Sequence, residues 1–497
     1  MSYCSGGVSS GFFIIFQYLA RIIGLWRHER QTGDKAVAIF LAAGDEIEMF
    51  YNGPMRSGIV LDSQALLNAG YRDFQRKLSA TLDDLYLGRW ECPGFHARVS
   101  HLAFDVDNFQ GETIIPRYLI ARSFEDDDLE EILAEFHLPA EVIPLEAGAK
   151  QSPGGSFHIE KLAIFLYDYG YASCQIRGRI VATKDLTLAQ YRKLAETLSS
   201  SLPDFTELFH STVTKVAKTL PPEYVLLNYH NEPEADDETW QGTTLRQRIG
   251  ELFWVHRVFS IPCKTPEEFA QKREECKALA YGGRNAGIKD GSVRPDIAFY
   301  PGFGNSCVVY LKDAVHEGDI AKLRSVVRAK NVFYAALQDM DRDLFYLGNE
   351  AALRRATTAQ ALEREMAHMD DALARTGFLK SVYDDYDNQL DPQSIILWDM
   401  LRITWIMGDV FRALDQKAAR MEKTCDRVAH RLAALQSRRM TNLIAVVAGA
   451  SLLTLGASLA GGLPSFHNGV AGLGEAIVLA FALGAATLLT VRYFKTK

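Results

Sequence analysis

From Met440 to Gly474 the chain carries no Asp, Glu, Lys or Arg, and this uncharged stretch follows directly on a charged segment with a seven-residue hydrophobic repeat. That junction limits what the chain can become. In hydrocarbon every backbone N–H and C=O must be satisfied within the protein, so a long uncharged run is viable there as a helix. Thr441 to Leu463 is long enough to cross roughly 30 Å of hydrocarbon at about 1.5 Å per residue. A second apolar run, Ala476 to Val491, reaches spanning length if it starts near Val470 and takes in Glu475. Arg438 and Arg439 precede the first run, and Arg492, Lys495 and Lys497 follow the second. The connecting loop, Gly461 to Gly469, has no Lys or Arg. The positive-inside rule therefore predicts a multi-pass protein of the inner (plasma) membrane, with the N-terminal domain and the C-terminus both in the cytoplasm.

The repeat before this junction runs Thr404, Met407, Phe411, Leu414, Ala418, Met421, Cys425, Val428, Leu432 and Leu435, alternating three and four apart. Charges of both signs fill the positions between. Sustained over about five heptads, this pattern predicts a coiled-coil helix, and its seam offers a device for assembling several copies.

The rest of the chain is large enough for two domains and a set of helices, and its 48% hydrophobic fraction suits a buried core. A net charge of -8 argues against nucleic acid as the main partner, because phosphate binding needs a basic surface. The seven cysteines stand singly, which predicts reduced thiols rather than a disulfide framework or a zinc site. Residues 1–34 hold an apolar run, Gly11 to Trp26, expected as a helix packed on the protein or lying on a membrane surface. Residues 35–150 and 156–315 each alternate short strands and helices, predicting two mixed domains separated by a Gly- and Pro-containing linker, Gly148 to Gly155. Lys161 to Tyr167 and Tyr171 to Ala182 read as a hairpin. Thr187 with Gln190, and Thr265 with Glu268, read as helix capping boxes. From Glu317 no strand signal remains: helices are expected at Asp319 to Leu347, Glu350 to Arg375 and Leu379 to Gln389, ahead of the heptad helix. The fold class is therefore an α/β (or α+β) cytoplasmic region, then a helical bundle and stalk over residues 316–439, then a two-helix transmembrane hairpin and basic tail over residues 440–497.

Catalytic signatures are absent from the sequence: there is no Gly-x-Ser-x-Gly, no Walker A loop and no His-Glu-x-x-His, so no enzymatic activity is expected. The glycines of Tyr281 to Gly291 follow a helix, the wrong context for a phosphate cradle. Cys92, His96 and His101 lack zinc-ligand geometry, because the two histidines fall on opposite faces of an expected strand. The acidic run Glu125 to Asp128 suits a helix N-terminus. The candidate functional residues lie in the first apolar run, where Ser451, Thr454 and Ser458 share one helix face. Hydroxyls on a spanning helix either bond back to their own backbone or line a path for water and ions. Glu475 would stand at the outer mouth of such a path, where a ring of carboxylates attracts cations.

This order, a cytoplasmic α/β domain, a helical bundle, one long helix continuing into a first span, a short loop, a second span and a basic tail, resembles the CorA-type magnesium transporter family. Leu414 to Arg439 is similar to that family's stalk helix, Thr441 to Leu463 to its pore-lining span, and Arg492 to Lys497 to its basic tail. Where the family carries Gly-Met-Asn, this chain reads Gly461, Gly462, Leu463, Pro464, Ser465, Phe466, His467, Asn468, Gly469. The resemblance implies an oligomeric ion channel or transporter, a pentamer in that family, gated by its cytoplasmic domain and handling a divalent cation such as Mg2+. The other reading is a membrane-anchored sensor or effector of stress or defence, whose soluble domain binds a ligand or partner and acts on the membrane.

Overall fold

The computed structural model describes residues 39–62, Lys77, 89–91, 120–144, 154–228, 250–280, 290–353 and 358–461, apart from single positions at 168, 251, 254, 278, 293 and 389. The chain divides into two compact units, one of residues 1–46, 143–156 and 181–201, the other of residues 47–142, 157–180 and 202–497.

In the smaller unit, Leu41 bridges Leu186, and Phe40 packs its ring on Tyr191 at 5.1 Å. Thr187 and Gln190 form the expected capping box: the Thr187 amide donates to Gln190 Oε1 at 2.9 Å and the Gln190 amide to Thr187 Oγ1 at 3.3 Å. The helix this opens, Leu188–Ser201, buries Tyr191, Leu194, Ala195 and Leu198, one stripe at helical spacing.

The larger unit is built on a sheet. Its strands, in chain order, are β1 (Glu46–Leu61), β2 (Arg89–Glu91), β3 (Ile120–Glu125), β4 (Glu141–Val142), β5 (Gly155–Leu166), β6 (Tyr169–Ala182), β7 (Val225–Asn228), β8 (His256–Cys263), β9 (Ile297–Tyr300) and β10 (Asn305–Leu311). The order across the sheet is β2-β3-β5-β6-β1-β8-β10-β9, with β4 beside β5 and β7 beside β1. Antiparallel pairing dominates; β8 and β10 run parallel, joined through the crossover helix Pro266–Cys276. The expected hairpin is β5 and β6, and its turn places Gly170 at φ +91, a conformation costly for a residue with a Cβ. Gly178 of β6 is required for space: a Cβ there would lie 2.2 Å from the His158 carbonyl oxygen.

Strands of residues 35–150 and of residues 156–315 thus share one sheet, where the sequence signals set them in two mixed domains. The physical reason is that an edge strand presents unpaired N–H and C=O groups. β3 of the first stretch satisfies its edge against β5 of the second, and β1 does so against β8.

After the sheet come four helices: α1 (Glu317–Leu353), α2 (Ala359–Asn388), α3 (Pro392–Thr404) and α4 (Met407–Gly461). Asp391 caps α3, accepting from the amides of Gln393 and Ser394 at 3.1 and 3.2 Å. Helices α1 and α4 run parallel: Tyr334 meets Trp405, and Lys417 bonds Asp341 at 2.6 Å. Helix α2 runs against both, with Tyr383 on Phe411 at 4.8 Å and Lys380 paired to Asp415.

Three expectations change here. Residues 359–388 form one helix rather than two, since no proline or glycine pair interrupts them. The heptad helix does not run unbroken through residues 404–407: it stops at Trp405 and restarts after Ile406, whose φ of 54 is a left-handed conformation that a β-branched residue rarely adopts. The seam itself is spent within the chain. Met407, Leu414, Met421, Val428 and Leu432 are buried in the same core as Val332, Leu337, Leu344 of α1 and Leu362, Met369, Leu379 of α2.

Past Leu435 the helix leaves this packing. No residue from Gln436 to Leu452 is buried, and Met440, Leu443, Ile444, Val447 and Leu452 are between 47% and 70% exposed. Among the described residues no helix is long and apolar enough to cross a membrane. The first expected span extends beyond them to Leu463, and the second, Ala476 to Val491, lies wholly outside them, as does the helix expected at Gly11 to Trp26.

Because the seam packs in cis, Leu414→Ala should cost about 2–5 kcal/mol, the range for a buried leucine, and lower the melting temperature by an amount independent of protein concentration. Thermal unfolding over a hundredfold dilution series checks this; a loss that scales with dilution would return the seam to an interface between copies.

Candidate functional site: a charged layer beneath α1

A helix packed on a sheet ordinarily presents it with an apolar stripe. Helix α1 presents charge. Arg324, Arg328, Asn331, Asp339 and Asp343 recur at intervals of three, four and eight, so they share one face, and that face meets a polar set on the sheet. The sheet supplies Glu48, Asn52 and Arg56 from β1, Tyr171, Gln175 and Arg177 from β6, and Ser260 from β8, all two or a multiple of two apart within a strand.

Arg56 is the centre. It is 1% exposed, its Nε donates to Asp339 Oδ2 at 2.6 Å, and its Nη2 donates to Asp343 Oδ2 at 2.7 Å. Tyr171 donates its hydroxyl to Asp339 Oδ2 at 2.9 Å, and Arg342 donates to Asp339 Oδ1 at 2.7 Å. Burial opposes charging Arg56, but Tyr171, Asp339 and Asp343 more than offset it, so the guanidinium pKa is raised. Burial, then Asp339, pushes the Tyr171 hydroxyl well above the usual phenol range, which keeps it a donor.

A second group sits further along the sheet. Arg324 lies 3.9 Å from the Phe50 ring centroid, donates to Ser260 Oγ at 3.0 Å and pairs with Glu48, which also pairs with Arg177 at 2.7 Å. Between the groups, the Gln175 amide donates to Asn52 Oδ1 at 2.8 Å and Asn331 donates to the Asn52 carbonyl at 3.2 Å. On the other flank of α1, Lys330 is fully buried, lies 3.7 Å from the Trp398 ring and 4.5 Å from that of Tyr383, and hydrogen-bonds the Tyr383 hydroxyl. Burial holds its pKa well below the ordinary lysine range.

A separate polar cluster lies at the α3–α4 joint. His256 Nε2 lies 3.0 Å from Ser306 Oγ, and the His256 ring meets Trp405 edge to face at 5.1 Å. Trp405 Nε1 donates to the Gly302 carbonyl at 2.8 Å, so the residue before the strained Ile406 is tied to the β9–β10 turn. Burial, with Arg257 adding to it, pushes the His256 pKa down to about 3.

Of the residues singled out in the sequence, Ser451 and Thr454 lie on the exposed end of α4, and their hydroxyls donate to the carbonyls of Val447 and Ala450 at 2.9 and 2.7 Å. Ser458 belongs to the same helix; Glu475, Cys92, His96 and His101 lie outside the described residues. Asp126, Asp127 and Asp128 occupy the first turn of the helix Asp126–Glu135. Among the described residues no three His, Cys, Asp or Glu side chains are grouped to hold a metal ion. The charged layer was not singled out by sequence reasoning, although part of its signal was present: charges at helical spacing along one face of α1, and an arginine inside a long strand. No family model matches the chain, and neither a curated protein nor a solved structure does.

Arg56→Met should take the buried guanidinium away from Asp343 and leave Asp339 with Arg342, at a cost of about 3–5 kcal/mol, and adding Asp339→Asn and Asp343→Asn should recover most of that loss in denaturant titrations. His256 gives a pH prediction. Its folded pKa lies below its unfolded value, so between about 6.5 and about 3 only the unfolded chain takes up this proton, and stability falls with pH by at most about 1.4 kcal/mol per unit. Above about 6.5 the contribution is flat. His256→Gln should weaken the acid-side slope in melting curves recorded from pH 7 to 4.

Proposed function

We propose that this chain is a membrane protein of CorA-like layout, in which α4 carries a cytoplasmic sheet body to the bilayer and the apolar segment beyond it passes cations in an assembly of several copies. The observation that carries the reading is the end of α4. A helix that packs its seam faithfully as far as Leu435 then exposes Met440, Leu443, Ile444, Val447 and Leu452, and in water that apolar surface is costly to leave uncovered. Lipid covers it without a protein partner. Arg438 and Arg439, exposed just before the apolar part, suit the cytoplasmic boundary. The hydroxyls of Ser451 and Thr454 bond back to their own backbone, as they do on a span that only anchors, so the path assignment rests on the single helix face that they share with Ser458. In this reading Ser451, Thr454 and Ser458 line the path, Glu475 stands at its outer mouth, and the cargo is a cation such as Mg2+.

The packing of the seam in cis supports a second reading. With that seam occupied, nothing on it is left to gather pore helices, and a hairpin that only anchors a sensor or effector body accounts equally for the exposed end of α4.

Liposome flotation tests the shared premise: Leu443→Asp with Ile444→Asp should lower the floated fraction several-fold, and an unchanged fraction would sink both readings. Cation flux separates them. If the path is lined by the hydroxyl face, Thr454→Leu should reduce flux at least tenfold at equal reconstitution. Steady flux indifferent to Thr454→Leu overturns the lining assignment, and no flux from the parent leaves the anchor.

A further inference from the structure

The exposed face of α3 is the strongest surface signal outside the regions already described. Its inner face buries Leu397, Trp398 and Leu401. Its outer face shows Ile395, Ile396 and Ile403, continued by Ile406 just past the helix end, all between 38% and 51% exposed. Three isoleucines on one side of a short helix, with a fourth just past its end, flank a charged pair, an apolar exposure of the kind that marks an interface. The only charges among them are Asp399 and Arg402, which pair at 2.9 Å.

We infer that this face is where a second copy of the chain docks, α3 against α3, antiparallel across a two-fold axis. The stripe is its own complement. Taking the midpoint between Asp399 and Arg402 as the axis, an antiparallel copy sets Asp399 level with Arg402 of the second copy, and Arg402 level with its Asp399. At a rise of about 1.5 Å per residue, Ile396 falls within about 3 Å of level with Ile403 of the second copy. Opposite charges meet at the centre and isoleucines meet at both ends, the isologous pattern a two-fold contact demands. A parallel copy would set Asp399 against Asp399. A lipid surface fits less well: the face has no excess of basic residues to meet anionic headgroups. The sequence placed self-association on the heptad seam; since that seam is filled within the chain, the contact between copies moves to α3. This inference stands independently of the membrane reading.

The test is a charge reversal read as mass. The full-length chain in detergent should have a protein mass by light scattering that is an even multiple of its 55.5 kDa. Asp399→Arg alone and Arg402→Asp alone should each halve that mass, because like charges then face each other across the axis. The double variant, Asp399→Arg with Arg402→Asp, should restore it, and so should an equimolar mixture of the two single variants, in which opposite charges meet only between copies, a rescue that an internal pair on one helix has no means to produce. Both side chains are solvent-accessible, and matched melting temperatures establish that each variant is folded. Ile403→Lys should also halve the mass. A monomeric or odd-numbered parent, single reversals that leave the mass unchanged, or a double variant that stays dissociated would each overturn the inference. So would Ile403→Lys abolishing vesicle binding at unchanged mass, which assigns the face to lipid. Paired copies that fail to float with liposomes would sink the membrane reading and leave this one standing.

Discussion

The ion pairs from Arg56 to Asp339 and Asp343 fix where α1 lies on the sheet. A buried guanidinium without its carboxylates is several kcal/mol less favourable than one with them, whereas leucines and valines sliding by one turn on an apolar sheet lose far less. Charge therefore sets the register here more sharply than apolar packing would. Asn331 on the Asn52 carbonyl and Arg324 on Glu48 repeat the constraint about two and four turns away from Asp339, so α1 is held at several points along its length. The positions of α2 and α4 then follow, because both pack on α1 and on each other. The stability contributed by such a layer is modest relative to an apolar one of the same volume; what it adds is a single alignment.

Much of the outline was legible in the residues. The β5–β6 hairpin was read from its two extended runs, the Thr187 and Gln190 pairing gave a real cap, and the loss of strand signal after Glu317 marked the change to helices. The partner of the heptad seam was not legible. A repeat of Met407, Leu414, Met421 and Val428 states that one face of a helix is covered; it carries no information on whether the cover belongs to the same chain. The break at Ile406 was hidden for a related reason. Nothing in Thr404, Trp405, Ile406, Met407 opposes a helix, and the left-handed turn exists because Trp405 is held by Gly302 and His256, contacts more than a hundred residues away in sequence.

The charged layer shows the same limit from the other side. Its members are scattered over three strands and one helix, from Glu48 to Asp343, and each alone reads as a solvent-facing charge. Only pairing across the sheet makes them a unit. The hydroxyl face was legible as a pattern, and the structure adds what the pattern lacked, that Ser451 and Thr454 each return a proton to the helix backbone.

The parallel run of α1 and α4, with α2 packed against both in the opposite sense, has a consequence for how the protein is made. Chains emerge from the ribosome in sequence order, so the sheet, α1 and α2 are available before any of α4 has appeared. Each heptad of α4 then meets a finished groove as it emerges, from Met407 toward Leu435. The apolar end beyond Met440 comes out after the groove of α1 and α2 has met the seam of α4. The fold thus times the appearance of its least water-compatible segment, keeping the interval in which that segment is exposed to other nascent chains short.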